Sequence, residues 1–239
     1  MIELTRHDIP KKEESYSEYA YRVLRDRIMK FDLIPGTPLN ELDLADRLQV
    51  SRTPVHEALA RLREENLVDI LPRKESRVSR INLLLVNDGI FARSCVEPEL
   101  IRTIQGNLSS TIMHQMLQNI NLQKHILDEG DLYNHFNEAD DEFHKLLFLA
   151  ANRENTYIQV RKMVAHFDRI RYLARSIGDF AEIDHLSFKE HCEIFSAVAY
   201  RADLSTDANT LIRRHITRFQ TKMFEIMERY GDYFGSSSD

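Results

Sequence analysis

Short helical patterns alternate with turn residues in the first third of the chain. A first predicted helix is capped by Ser15 or Ser17, and its apolar residues at helical spacing are Val23, Leu24, Ile28 and Phe31. A short second helix places Leu42, Ala45 and Leu48 on one face. A third has Thr53 as its N-cap and Pro54 at its first position, with apolar residues at Val55, Ala58, Leu59 and Leu62. Two β-like runs, 67–71 and 78–81, flank a basic turn at 72–77. Three helices followed by a hairpin predict a winged helix-turn-helix.

The remaining chain shows helical periodicity almost throughout. All six prolines precede residue 99, and proline is the strongest helix breaker. The predicted helical segments are 86–105, 109–129, 132–151, 155–176, 181–199 and 204–229. Short connections containing Asn, Asp and Gly favour antiparallel neighbours. The predicted fold is therefore mainly α, with an N-terminal winged helix-turn-helix and a C-terminal antiparallel α-helical bundle.

These patterns divide the chain into five parts. Residues 1–14 form an N-terminal tail and 15–81 the winged helix-turn-helix DNA-binding domain. Residues 82–87 are a linker, 88–230 a helical domain, and 231–239 a flexible tail.

Composition narrows the compartment. With 239 residues, 43% hydrophobic and 29% charged, we expect a soluble protein of one or two globular domains. No apolar run approaches the roughly 20 residues of a membrane-spanning helix, and residues 1–14 lack the apolar stretch of a secretory signal. Two cysteines exclude a disulfide framework and a four-cysteine zinc site within one chain. We expect a cytoplasmic location and no membrane partner.

Charge is distributed unevenly. The net charge is -6, and residues 82–239 carry 17 basic and 23 acidic side chains. Residues 15–81 carry 12 basic and 11 acidic side chains. This charge distribution excludes a strongly basic nucleic-acid-binding chain. It is compatible with a local basic surface that binds DNA.

The third helix is suited to enter a DNA major groove. Its inner face is apolar, while Ser51, Arg52, Thr53, His56 and Arg61 can point outward. Arg52 can contact guanine or phosphate through two hydrogen bonds. The predicted wing adds a basic excess at Arg73, Lys74 and Arg77, as contact with a DNA backbone requires. The alternative is an exposed, charged surface helix and an ordinary hairpin.

Residues 39–62 resemble the signature of the GntR family of bacterial transcription regulators. The specific core is Ser-Arg-Thr-Pro-Val-His-Glu-Ala-Leu at 51–59. The C-terminal bundle is similar to the ligand-binding domain of the FadR-like subfamily, so the resemblance covers about residues 15–230. It implies a bacterial regulator that is associated with the nucleoid when bound to DNA. Members of the family usually have Arg where this chain has His56 and Gly where it has Gln49. Their wing usually contains a Gly in the region where this chain has Glu75. A neutral His56 makes a shorter contact than Arg, so the half-site can differ from the common family operator.

Four residues on three predicted helices form a candidate metal site. Asp140 and His144 share one helical face, and His191 and His215 lie on the apolar faces of two other segments. One carboxylate and three imidazoles suit a divalent ion, with zinc preferred and nickel or manganese as alternatives. The other interpretation is that these are core histidines hydrogen-bonded to backbone or carboxylates. The four residues occupy the positions of the ligands in metal-binding FadR-like members.

The resemblance also implies a small carboxylate effector beside the metal. Arg93, on the inward face of the first bundle helix, is the candidate anion partner. Its alternative role is an i, i+4 ion pair with Glu97. His166 is a second, weaker candidate for the effector pocket.

Three functions compete at this point. The first is a sequence-specific DNA-binding regulator that binds a palindromic double-stranded operator as a homodimer and responds to the effector. The second is a metal-dependent hydrolase or lyase in the bundle. It is disfavoured because Glu142, the neighbouring candidate base, points off the ligand face and because residues 15–81 would have no role. The third is a bundle that only dimerises. We therefore expect a regulator and not an enzyme.

Overall fold

The computed structural model describes residues 9–70, 76–129, 133–176, 181–204 and 206–235. Helix α1 spans Tyr16–Met29. Its N-cap is Ser15, whose hydroxyl accepts a hydrogen bond from the Glu18 backbone N–H. The Glu18 carboxylate accepts one from the Ser15 N–H in return, at 2.9 Å. This capping box selects Ser15 over Ser17 as the start of the helix.

Helices α2 (Glu41–Leu48) and α3 (Arg52–Glu64) follow. The prediction for Leu42 was wrong, because it is 66% exposed and Leu44 is buried in its place. Leu42 and Leu44 are both compatible with the Ala45 and Leu48 spacing, and only packing selects between them. Thr53 is not the N-cap of α3, since the extended residue before the helix is Ser51. The predicted inner face of α3 is confirmed, with Val55, Ala58, Leu59 and Leu62 all buried.

A small antiparallel sheet completes the N-terminal domain. Its strands are β1 (Pro38–Leu39), β2 (Val68–Asp69) and β3 (Ser76–Val78), in the order β1-β3-β2. Val68 pairs with Val78 and Leu39 with Ser76. Strand β1 lies at an edge of the sheet, where the missing N–H of Pro38 costs no ladder hydrogen bond. Arg73 and Lys74 of the predicted wing lie outside the described residues.

The C-terminal region is built from helices. Their bounds are α4 (Leu83–Ile104), α5 (Ser110–Glu129), α6 (Tyr133–Ala150), α7 (Glu154–Met163), α8 (Ala165–Ser176), α9 (Ala181–Tyr200), α10 (Ala208–Thr217) and α11 (Met223–Arg229). A 3-10 helix at Arg218–Lys222 separates α10 from α11, so the predicted last segment is interrupted. Helix α4 also includes most of the expected linker at 82–87.

The segment predicted at 155–176 is broken at Val164. Gly89 of α4 packs against this break, and a Cβ atom at Gly89 would lie 2.9 Å from the carbonyl oxygen of Met163. The interruption therefore reflects a close helix contact. Residues 155–176 contain no proline or glycine that could have indicated it.

Two apolar cores meet at α8. Ala165 belongs to the core of the N-terminal domain and Tyr172 packs against it, whereas Phe167 and Ile170 belong to the bundle core. The expected flexible tail is partly ordered, because Gly231–Tyr233 form a 3-10 turn and Phe234 forms a parallel bridge with Ile81. Among the described residues, no helix is long and apolar enough to cross a membrane.

Candidate metal centre and DNA-contact helix

The four predicted metal ligands come together inside the bundle. Asp140 and His144 lie one turn apart on α6, His191 is on α9, and His215 is on α10. All four are buried, and one ligand atom from each lies within 4.8 Å of the others. We refer to these four residues as the Asp-His cluster.

Each imidazole of the cluster has an acceptor beside its Nδ1 atom. These acceptors are a Glu97 carboxylate oxygen 2.8 Å from His144, the Gln123 amide oxygen 2.8 Å from His191, and a Glu190 carboxylate oxygen 3.1 Å from His215. An acceptor at Nδ1 places the proton there and leaves the Nε2 lone pair free. The sequence did not assign these residues as acceptors for the imidazoles, because they lie on α4, α5 and α9 and their relation to the histidines depends on helix packing.

The Nε2 atoms point toward one another. His144 Nε2 and His215 Nε2 are 3.0 Å apart, and His191 Nε2 is buried with no hydrogen-bond partner. With its proton on Nδ1, His215 presents an Nε2 lone pair toward His144 Nε2. Asp140 carboxylate oxygens lie 3.7 Å from His191 Nε2 and 3.8 Å from His144 Nε2. A cation among these atoms satisfies all of them, so the donor set fits a divalent metal ion.

The protonation states also suit a metal site. Burial lowers the pKa of His144, and burial together with the neighbouring His215 holds the pKa of His191 well below its usual value. Both rings are therefore neutral near pH 7. Burial alone would raise the pKa of Asp140, but the Arg171 guanidinium and the three histidines of the cluster together outweigh burial and the pKa falls. The site thus offers a carboxylate and neutral imidazoles.

Arg93 lies beside this centre, in a buried ion pair. Its Nε atom is 2.6 Å from Glu97, as the alternative interpretation of this residue required. Its charge is close enough to contribute to the lowered pKa of His144 and His191. On the next residue, the Ser94 hydroxyl is buried and has no hydrogen-bond partner.

His166 lies at the junction between the two domains. Its Nδ1 accepts from the Asn82 backbone N–H at 3.1 Å, and its Nε2 donates to the Asn66 carbonyl oxygen at 2.8 Å. Burial lowers its pKa to about 4. Because both ring nitrogens are engaged by backbone groups, the structure does not bring His166 to the Asp-His cluster.

A charged network extends from the cluster toward the N-terminal domain. The Arg171 guanidinium donates to Asp140, to Asp141 at 2.7 Å and to Asp168 at 3.2 Å. Arg161 contacts the same Asp141 and Asp168 at 3.2 and 2.7 Å.

The network reaches a junction cavity of about 230 Å³, which is lined by residues of both domains. Asp141 and Arg161 lie on its bundle side, and Tyr21 and Arg25 of α1 on the other. Arg25 and Tyr21 both donate to Glu65, the C-cap residue that follows α3. Charged residues therefore connect the metal ligands with the end of the predicted DNA-contact helix.

The exposed start of α3 carries most of the predicted DNA-contact residues. Ser51, Arg52, Thr53 and His56 are exposed, and the side chains of Arg52 and His56 are each 67% exposed. The Ser51 hydroxyl makes no capping hydrogen bond, so it is available to a phosphate oxygen. This end of the helix is open to a duplex in the isolated chain.

Arg61 and Arg77 lie apart from that end. Arg61 does not share the surface of Arg52 and His56, since it stacks on the Tyr21 ring of α1 at 3.9 Å. Nine residues separate Arg61 from Arg52, which places it about half a turn away around the helix axis. Arg77 is exposed on β3, opposite Asp69 in the neighbouring strand.

Comparisons with known proteins agree with this architecture. The family model described as "Bacterial regulatory proteins, gntR family" matches residues 16–78, and the FCD domain model matches residues 88–218. The HTH-type transcriptional repressor RspR of Escherichia coli (strain K12) is 30% identical over 219 residues, which are 91% of this chain and 93% of that protein. The chain belongs to the GntR family.

Other GntR-type proteins are similar over most of the chain. An uncharacterized HTH-type regulator in an unstable DNA locus of Streptomyces ambofaciens is 32% identical over 197 residues, 82% of this chain and 80% of that protein. The structure of E. coli McbR/YncC superposes with a TM-score of 0.71 at 16% identity, covering 90% of this chain and 99% of that one. A GntR regulator from Rhodococcus sp. RHA1 gives 0.64 at 20% identity, covering 90% and 98%.

The matches decide between the competing functions at a coarse level. The families and relatives are transcription regulators and not enzymes, so the hydrolase or lyase alternative is set aside. The chain is a GntR regulator with a helix-turn-helix for DNA and an FCD effector-binding domain.

Proposed function

We propose that this GntR regulator binds a palindromic operator as a homodimer and that a small carboxylate effector, bound beside a divalent metal in the FCD domain, controls operator affinity. The observation that supports the metal most strongly is the arrangement of three imidazoles with outward Nδ1 partners and converging Nε2 atoms. Asp140, His144, His191 and His215 would hold the ion. Zinc fits this nitrogen-rich set best, with nickel or manganese as alternatives.

Two features of helix α4 support an anionic effector. Arg93 carries a positive charge into a buried environment, and Ser94 offers a hydroxyl without a partner. A bound metal would supply further positive charge, and a cation together with a hydroxyl can bind a small carboxylate. The Glu97 contact of Arg93 would orient the guanidinium and balance part of its charge.

The route from the effector site to DNA would follow the charged network at the domain junction. Asp140 accepts a hydrogen bond from Arg171, so a change around the metal acts directly on the groups bound to Arg171. The network then passes Arg161 and the junction cavity to Glu65 at the end of α3. Effector control requires that the effector prefer one of two domain arrangements, and this junction is the place where the arrangements would differ.

Metal content tests the first part of the proposal. After zinc supplementation and gel filtration, we expect elemental analysis of the wild-type protein to find about one divalent ion per chain. Asp140→Ala and His191→Ala should lose most of it, because each removes a ligand from the Asp-His cluster. His125→Ala is the control, since that side chain is exposed on α5. A wild-type protein without metal would favour a bundle that only dimerises.

Operator binding tests the second part. We expect the protein to shift an operator fragment selected from a randomised DNA pool in a gel titration, and Arg52→Ala to reduce specific affinity by at least roughly tenfold. Circular dichroism should show that the variant remains folded, because Arg52 is exposed. Analytical ultracentrifugation should give a dimer. Unchanged affinity of Arg52→Ala would remove this residue from the DNA contact.

A further inference from the structure

The Glu41 carboxylate contacts two exposed side chains at the start of α3, Arg52 and His56. Glu41, the first residue of α2, places one carboxylate oxygen 2.6 Å from Arg52 Nε and the other 2.8 Å from His56 Nδ1. Arg52 and His56 are four residues apart, so they lie on the same face of α3 one turn from each other. Glu41 itself is only 21% exposed, whereas the two side chains that it contacts are 67% exposed.

This contact leaves the outer part of Arg52 available. Because Nε is the atom that donates to Glu41, both terminal nitrogens of the guanidinium can point away from the protein. Those two nitrogens are the donors that form a bidentate contact with guanine O6 and N7. Glu41 thus orients Arg52 without occupying the atoms that would contact the base.

The same contact determines which hydrogen-bonding group His56 presents outward. A carboxylate oxygen can only accept, so His56 Nδ1 must carry the proton that it donates to Glu41. In the neutral ring, Nε2 then has a lone pair and no hydrogen. An arginine at this position would present donors, whereas His56 presents an acceptor.

We infer that Glu41 is a positioning residue that makes His56 select a base with an exocyclic amino group, adenine or cytosine, and reject guanine. In the major groove, adenine N6 and cytosine N4 are the donors, while guanine presents only the acceptors O6 and N7. The acceptor at His56 Nε2 can therefore accept a hydrogen bond from adenine N6 or cytosine N4, and it is repelled by the guanine acceptors O6 and N7. This inference rests on the proposed role of α3 as the helix that contacts DNA.

The electrostatics of Glu41 are consistent with this role. Hydrogen bonds from His56 and from Arg52 lower the pKa of Glu41, which keeps the carboxylate ionised and therefore an acceptor. Glu41 and Arg52 also balance each other in charge. A carboxylate at the DNA surface is in this way compensated before a phosphate approaches.

Selection of binding sites from a randomised DNA pool tests the inference. The full-length wild type, Glu41→Gln, His56→Arg and the control Glu57→Gln would each be used at pH 8, where free imidazole is neutral. Glu57 is an exposed carboxylate next to His56 in sequence. Glu57→Gln therefore removes one negative charge, as Glu41→Gln does, and leaves the contact between Glu41 and His56 in place. The base contacted by residue 56 is the position at which the preference of His56→Arg differs from that of the wild type.

At that position we expect the wild type to prefer adenine or cytosine over guanine by at least about fivefold. His56→Arg should select guanine there. Glu41→Gln should reduce the wild-type preference to less than about twofold, because an amide can either accept from Nδ1 or donate to it and no longer sets the position of the proton. Glu57→Gln should retain the full preference, although its overall affinity changes with the lost charge.

The outcomes separate this inference from the proposed function. If no sequence is enriched by the wild type, specific DNA binding by the chain is itself rejected. If sequences are enriched but the wild type selects guanine, or His56→Arg changes no position, the acceptor role of His56 is wrong. An unaltered base preference in Glu41→Gln, with normal circular dichroism, would show that Glu41 does not position the ring.

Discussion

Two of the three converging imidazoles, His191 and His215, are held from behind by a hydrogen-bond acceptor, and the third, His144, has a Glu97 carboxylate oxygen 2.8 Å from its Nδ1. The acceptors differ in chemistry: Glu97 and Glu190 are carboxylates, and Gln123 is an amide. Gln123 is itself oriented, since its amide nitrogen donates to Asn119 at 2.7 Å and its oxygen must therefore face His191. At the scale of single residues, the second layer of contacts is what makes the cluster a candidate metal site, because it fixes the ring nitrogen that faces inward.

His166 provides a test of residue-scale electrostatics away from the cluster. Its pKa is lowered to about 4 by burial, so the unfolded chain binds a proton that the folded chain does not between about pH 6.5 and pH 4. Stability contributed by the neutral ring is therefore present above that range and is lost as the pH falls through it. From pH 7.5 to 5.5, we expect the wild type to lose about 1.4 kcal/mol of unfolding free energy more than His166→Gln.

The measurement is urea unfolding of both proteins at each pH. Glutamine can accept from Asn82 and donate to Asn66 as the imidazole does, so the variant keeps the contacts and removes the titration. The same pH dependence in both proteins would show that His166 does not carry it.

At the scale of elements, the connection between α2 and α3 determines how the DNA-contact helix is presented. Gln49 adopts a left-handed conformation with φ 55° and ψ 41°, which allows the chain to turn from α2 into α3. A side chain in this conformation costs roughly 1–2 kcal/mol, and glycine avoids that cost. Here Gln49 offsets part of it, because its side-chain amide donates to the Asp46 carbonyl oxygen at 2.6 Å.

We expect Gln49→Gly to stabilise the N-terminal domain by roughly 0.5 kcal/mol. The relief of backbone strain is favourable, whereas the lost hydrogen bond and the greater conformational freedom of the unfolded chain offset part of it. Gln49→Ala should destabilise it, since alanine keeps the strain and loses the hydrogen bond. Thermal unfolding followed by circular dichroism measures both. Equal midpoints for the glycine and alanine variants would contradict the explanation.

At the scale of the whole molecule, the two domains are joined by packing, by backbone hydrogen bonds and by charge. α8 contributes to both apolar cores, His166 bonds to backbone groups on either side of the junction, and Glu65 joins α3 to α1 beside the junction cavity. A junction of this kind can hold two domain arrangements whose balance a ligand shifts.

Glu65→Gln should weaken the communication between metal and DNA. Its loss of charge removes the ion pair with Arg25, while the amide can still accept from Tyr21. For the wild type we expect operator affinity to differ by at least about fivefold between zinc-loaded and chelator-treated protein, and for Glu65→Gln by less than about twofold. Fluorescence anisotropy with labelled operator gives both dissociation constants.

Glu64→Gln is the matched control, since Glu64 is an exposed neighbour of Glu65 on α3. It should retain the wild-type response to zinc. If Glu65→Gln responds as fully as the control, the coupling passes through other contacts.

The sequence by itself determined the features that depend on neighbours along the chain. The inner face of α3 and the common face of Asp140 and His144 follow from a period of 3.6 residues, and each needs no knowledge of the partner element. The positions of proline, glycine and other turn residues predicted the mainly helical architecture, because these residues act on the local backbone.

Only the tertiary structure decided the features that require two distant segments to meet. Leu44 replaced Leu42 in the core, Val164 interrupted a periodic segment against Gly89, and Arg61 stacks on the Tyr21 ring of α1. The acceptors behind the histidines and the contact of Glu41 with His56 were hidden for the same reason. Periodicity gives the face on which a side chain lies, whereas the atom that it meets depends on how helices pack across the fold.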